Sequence, residues 1–224
     1  MGATSLLYAA PMLRSSLAIL LLLPLASCAA PPAKPAAHDN PILFGKTTAP
    51  VEVVIWLGLR NDQSKSFIKT ILPALLDGAV KSGTVRVRLE PVSDLDGTLP
   101  AVGVLWCVQN TVHGDTATRS ASTLLLLQAM QATPPNGSPG YGEAWWLEQS
   151  AITAGLAPNL VAGCLGNELA AEAVRKSYLV GKAASLRNML LLPQVSINGQ
   201  VVNVLDTPAV TLKDIEDAIA KAGS

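Results

Sequence analysis

The sequence predicts an α/β body: a β-α-β unit, a block of helices, then a β-hairpin and a closing helix. Three observations carry this reading. Apolar, β-branched runs occur at both ends of the body and almost nowhere between residues 99 and 190. A stretch of helical period separates the first two such runs. Asn198-Gly199 stands between the last two, and this pair favours a tight hairpin because both of its positions accept positive φ.

The elements follow in order. Residues 51–57, Val-Glu-Val-Val-Ile-Trp-Leu, read as a strand buried on both faces. Over 66–80, Phe67, Ile68, Ile71, Leu72, Leu75, Leu76 and Val80 share one broad helical face; Pro73 predicts a kink, and Gly78 and Gly83 close the segment. Residues 84–90 alternate, with Val85, Val87 and Leu89 on one face and Arg86, Arg88 and Glu90 on the other, which predicts a half-exposed strand. A right-handed crossover should join the two strands. Helices are expected over 99–112, 120–132, 143–155, 158–163 and near 167–187, with a Pro/Gly-rich loop over 133–142. Strands over 194–197 and 200–205 flank Asn198-Gly199, and Thr211 can cap a last helix that turns Ile215, Ala218 and Ile219 inward.

Composition narrows the function. Sixteen basic and sixteen acidic residues cancel, which argues against a partner read through a phosphate backbone and so against nucleic acid. Three cysteines cannot build a disulfide-dense scaffold. Two histidines, His38 and His113, leave little material for a metal site, and no nucleotide-binding or zinc-protease motif is present. The sequence therefore points to no cofactor and no metal.

The N-terminus reads as an address. Arg14 precedes the apolar run 17–25, which is too short to span a bilayer as a helix and suits a signal peptide. Met12 could be the start of a compact version of it. Leu25-Ala26-Ser27-Cys28 follows, and this resembles the lipobox of bacterial lipoproteins. The resemblance implies a signal over 1–27 and a Cys28 that is acylated and becomes the first mature residue. An ordinary secretory signal with an incidental cysteine is the alternative. Residues 28–41 then form a Pro/Ala-rich tether, where His38 reads as a solvated linker residue. Ala29, by resemblance to enterobacterial sorting, implies the outer membrane.

Across the body, local text resembles the DsbA-like family, a thioredoxin-like fold with a helical insertion. Thr48-Ala49-Pro50-Val51 leading into Val53-Val54-Ile55 resembles the family's opening strand. Phe67 with Ile71-Leu72-Pro73 resembles its first helix, and Cys164-Leu165 the end of its insertion. Leu192-Pro193 before Ile197-Asn198-Gly199 resembles its cis-proline loop. The resemblance implies a first half over 42–98, a helical insertion over 99–190 and a second half over 191–224.

One departure matters for function. The family carries two cysteines flanking two residues at the start of the first helix, and counting back from Phe67 those positions are Asn61 and Ser64. The tetrad here is Asn61-Asp62-Gln63-Ser64. Disulfide exchange needs a thiolate, activated at a helix N-terminus, and a second sulfur to resolve the mixed disulfide. Asn61 offers no nucleophile and Ser64 an alcohol that is not redox-active. Asn61 and Asp62 suit a helix cap instead. The binding half of the mechanism could survive: a groove between Asn61–Ser64 and Leu192-Pro193, the latter either cis or simply a helix breaker, would hold an extended peptide or partner protein of the cell envelope.

With Cys28 acylated, Cys107 and Cys164 remain. They could form a non-catalytic disulfide, stay as two buried thiols, or act as the redox pair of an oxidoreductase or isomerase. The sequence leans away from an enzyme. The remaining candidates have plainer explanations: His113-Gly114-Asp115 as a helix-end loop, Asp94 and Asp96 as turn residues. Of Trp145 and Trp146, one should pack inward, and an exposed one would mark a contact surface.

Overall fold

A computed structural model describes residues 42–92, 99–132, 142–165, 191–202 and 210–223, together with Glu172, Arg175, Leu179 and Lys182. Cys28 with the signal and tether, Asp94, Asp96, residues 133–141 of the expected 133–142 loop and residues 203–205 lie outside the described residues, and Gly142 is already helical. Of the helix expected near 167–187, those four residues are described and all four are helical.

Among the described residues, five strands form one sheet: β1 (Ile42–Phe44), β2 (Val51–Gly58), β3 (Val85–Val92), β4 (Gln194–Ile197) and β5 (Gln200–Val201). Their order is β1-β3-β2-β4-β5; β2 and β3 run parallel and every other pair antiparallel. Among the described residues the helices α1 (Asp62–Leu75), α2 (Leu99–Thr111), α3 (Thr116–Ala132), α4 (Gly142–Thr153), α5 (Pro158–Cys164) and α6 (Leu212–Ala222) accompany them. This is the layout the sequence predicts, with differences that have physical causes.

Helix α1 begins at Asp62, ahead of the apolar period, because its first turn is polar and carries no stripe. It runs through Pro73 and then opens into a π-turn over Leu76–Val80, where Lys81 N–H donates to Leu76 O at 3.1 Å. Phe67, Ile68, Leu72 and Leu75 bury against Val53, Ile55 and Leu57 of β2 and their neighbours on β3 and β4. Strand β1 is too short to show a period in sequence. It pairs with β3 at the sheet edge, and Leu43 N–H donates to Ser120 Oγ of α3 at 2.8 Å.

Strand β3 corrects the half-exposed expectation. Arg88 and Glu90 are 5% and 2% exposed. They are buried as a pair: Arg88 Nη1 donates to Glu90 Oε1 at 2.7 Å, and Arg88 Nε lies 3.8 Å from Glu52 Oε1. Alternation in sequence reports polarity, and here the polar face is covered too. Val54 and Trp56 of β2 and Gln194 and Ser196 of β4 share that face, and all four are buried.

The helical block is tied to the sheet by polar and apolar contacts together. Helix α2 is buried on all sides over 101–109, with Val102, Val104, Leu105, Trp106 and Val108 inaccessible or nearly so. Gln109 Nε2 donates to Ser120 Oγ, the same atom that receives Leu43 N–H, and Thr123 Oγ1 donates to Gln109 Oε1 at 2.8 Å. At the other end of the body, Asn198 and Gly199 take φ of 48° and 86°, the turn that Asn-Gly favours. Asn198 also brackets Glu52, giving N–H to its carbonyl and accepting its N–H. Thr211 and Asp214 cap α6 reciprocally, and Ile215 is its fully buried anchor.

Candidate functional site

The site is built where β2 hands over to α1. Asn61 is the N-cap, and its Oδ1 accepts Ser64 N–H at 2.8 Å. Ser64 is inaccessible, and its Oγ accepts Gly58 N–H, from the last residue of β2, at 3.1 Å. The first turn of the helix is thereby pinned back onto the strand that precedes it. Asp62 and Gln63 point outward; Asp62 Oδ1 lies 3.5 Å from Lys65 Nζ in an exposed pair worth little to stability. The sequence marks Asn61 and Asp62 as caps. It gives no sign that Ser64 works as an acceptor, because the contact depends on how β2 ends.

Leu192-Pro193 stands beside this turn. β4 pairs antiparallel with β2, with Trp56 opposite Gln194, and the register carried one residue further sets Pro193 opposite Leu57. The loop before β4 and the N-terminus of α1 therefore share one end of the sheet. The Leu192-Pro193 peptide is cis. Pro193 is buried, Leu192 packs on Val54, Trp56 and Val92, and Leu191 is 39% exposed.

Cys107 and Cys164 are joined in a disulfide between α2 and α5, with sulfurs 2.03 Å apart. Both are buried, at 8% and 3% exposure, and belong to the main core. Cys107 lies in the C-terminal half of α2 and Cys164 is the last residue of α5, so neither stands at a helix N-terminus that could favour a thiolate.

The remaining candidates separate. His113 is exposed, and Asp115 caps α3 by accepting Thr118 N–H at 2.8 Å. That bond and the Thr118 side chain hold the Asp115 carboxyl below its ordinary pKa. Trp146 is buried while Trp145 and Ile152, seven residues apart on α4, are exposed. Among the described residues no three His, Cys, Asp or Glu side chains converge as metal ligands.

No protein-family model and no curated protein matches the sequence. Solved structures do match its fold. DsbA of Chlamydia trachomatis aligns over 84% of this chain and 94% of its own, with a TM-score of 0.69 and 16% identity. Oxidised BdbD of Bacillus subtilis aligns over 84% and 95%, with a TM-score of 0.66 and 18% identity. A periplasmic thioredoxin-like protein from Salmonella enterica serovar Typhimurium aligns over 83% and 92%, at 0.58 and 14%. At these identities what is shared is architecture: the chain has the DsbA-like fold, a thioredoxin-like sheet and helices with a helical insertion.

Proposed function

We propose that this is a lipid-anchored, periplasm-facing protein of the bacterial envelope, held at the outer membrane through Cys28. It binds an extended segment of another envelope protein in the groove between Asn61–Ser64 and Leu192-Pro193. It does not exchange disulfides there. The observation that carries this reading is the state of the α1 N-terminus: the two positions that resemble the family's cysteines hold side-chain oxygens, each already accepting a backbone N–H. The turn keeps its shape without a sulfur, so a binding surface remains where the exchange chemistry does not. Structures of the same fold include a thiol-disulfide exchange protein and a periplasmic thioredoxin-like protein, which agrees with a periplasmic setting.

A peptide array probed with the purified protein tests the groove. Leu192→Asp places a charge on its apolar wall and should weaken array binding by about tenfold or more. Because Leu192 packs on Trp56, the half-exposed neighbour change Leu191→Asp is run beside it, with circular dichroism on both. Unchanged binding in two folded variants rules the groove out.

The Cys107–Cys164 bond supports a second reading, an oxidoreductase that uses this pair. Its burial favours a structural role. Insulin reduction that disappears in a Cys107→Ser, Cys164→Ser double variant would establish the enzyme instead.

A further inference from the structure

We infer that the outward face of α4 lies on the bilayer surface, with Trp145 and Ile152 inserted at the level of the lipid headgroups. The inference rests on the lipid-anchored reading above and adds to it the surface by which the body meets its membrane.

The sequence prepares this face by leaving charge out. From Thr116 to Leu165 only Arg119, Glu143 and Glu148 are charged, three residues in fifty, against 14% for the whole chain. Large apolar side chains are nevertheless exposed there. Trp145 is 51% exposed and Ile152 55%, seven residues and so two turns apart on one face of α4. The inward face of that helix is already filled by Trp146, Leu147, Ser150 and Ala151, all buried, so Trp145 and Ile152 serve no core. Leu125 of α3, the helix packed beside α4, is half-exposed as well. A single exposed apolar residue needs no explanation, but several on a charge-poor block mark a contact surface.

Three arguments make the occupant a bilayer. Residues 29–41 link Cys28 to the body, and thirteen fully extended residues reach about 45 Å at most, so an anchored body cannot leave the surface. At that range the bilayer is present at high effective concentration, and insertion of two side chains is enough to hold it. Secondly, tryptophan suits the headgroup level, with an apolar ring and an N–H to donate. Thirdly, Glu148 lies three residues after Trp145 and four before Ile152, on the same face. Its carboxylate keeps α4 out of the hydrocarbon and can meet the ammonium of phosphatidylethanolamine. In a twofold contact between two copies centred on this face, two Glu148 carboxylates would meet instead.

The mature chain from Cys28 is coupled to maleimide lipid through that thiol, which is free while Cys107 and Cys164 are bridged. The vesicles hold phosphatidylethanolamine and phosphatidylglycerol, with or without bromine on the acyl chains near the headgroup. Coupling fixes the tether whether or not a cell acylates Cys28, so palmitate labelling judges the anchor and fluorescence judges the face. Trp56, Trp106 and Trp146 are each 1% exposed, so contact quenching by bromine reports Trp145. Brominated vesicles should quench part of the emission, and Trp145→Phe should abolish that loss. Ile152→Asp, at an exposed position, should cut it by about half or more, because the new charge stays in water. No bromine-dependent quenching of the folded chain overturns the inference. So does quenching that persists in Trp145→Phe or ignores Ile152→Asp. Blue-shifted Trp145 emission that grows with protein concentration before vesicles are added assigns the face to a second copy and overturns it too.

Discussion

Removing the Cys107–Cys164 bridge should destabilise the body by a calculable amount. The two cysteines are 57 residues apart. In the chain-entropy model, closing a loop of that length removes roughly 14 cal/mol/K from the unfolded ensemble, or about 4 kcal/mol at 25 °C. Against a typical domain stability of about 5–15 kcal/mol, that is a large share. The bridge also lies in the core, so Cys107→Ala with Cys164→Ala leaves a small void that adds to the loss. Urea unfolding of the oxidised body and of the double variant measures it. The variant's midpoint should fall and its m-value rise, because an unbridged chain exposes more surface when unfolded. Reduced wild-type protein should resemble the variant. A loss below about 1 kcal/mol would refute the reasoning, since the bond would then not restrain the chain between α2 and α5.

Other consequences can be checked in the same way. Arg88→Met should cost about 3–5 kcal/mol by taking the guanidinium away from the buried Glu90 carboxylate, and Arg88→Met with Glu90→Leu should recover most of that loss in the same urea assay. Ser120→Ala strands Leu43 N–H and removes one acceptor from the Gln109 amide, and should cost about 1–3 kcal/mol, with faster hydrogen exchange at Leu43 as its local signature. The Asp214 carboxyl is held below its ordinary pKa first by the Thr211 hydroxyl and then by the Thr211 backbone N–H. Its folded pKa is depressed, so its contribution is present above the unfolded value and lost as pH falls through the folded one; α6 should fray on acidification, and Thr211→Ala should return the Asp214 titration toward 3.8, as carboxyl NMR can show. Cys28→Ser should abolish metabolic labelling with a palmitate analogue and release the body from membranes.

The sequence carries the fold where its signals are local. Asn198-Gly199, the Thr211 cap and the apolar period from Phe67 each depend on a few neighbouring residues, and each is where it was read. What escaped depends on distant partners. β1 has three residues and exists because β3 and Ser120 receive it. The polar alternation of β3 could not tell solvent from a buried ion pair. At the site, the Asn61 cap follows from residue type and position, but the Ser64–Gly58 bond needs the β2–α1 corner to exist first.

The central claim is that the corner formed by Asn61–Ser64 and Leu192-Pro193 binds extended chain without exchanging disulfides. Mapping backbone amide shifts while titrating a peptide selected on the array tests it most directly. The account predicts saturable shifts concentrated at Asn61, Ser64, Leu191 and Leu192, with Cys107 and Cys164 still bridged at the end of the titration. Shifts confined to another surface, such as Trp145 and Ile152 on α4, or a mixed disulfide formed with a cysteine-containing peptide, would contradict it.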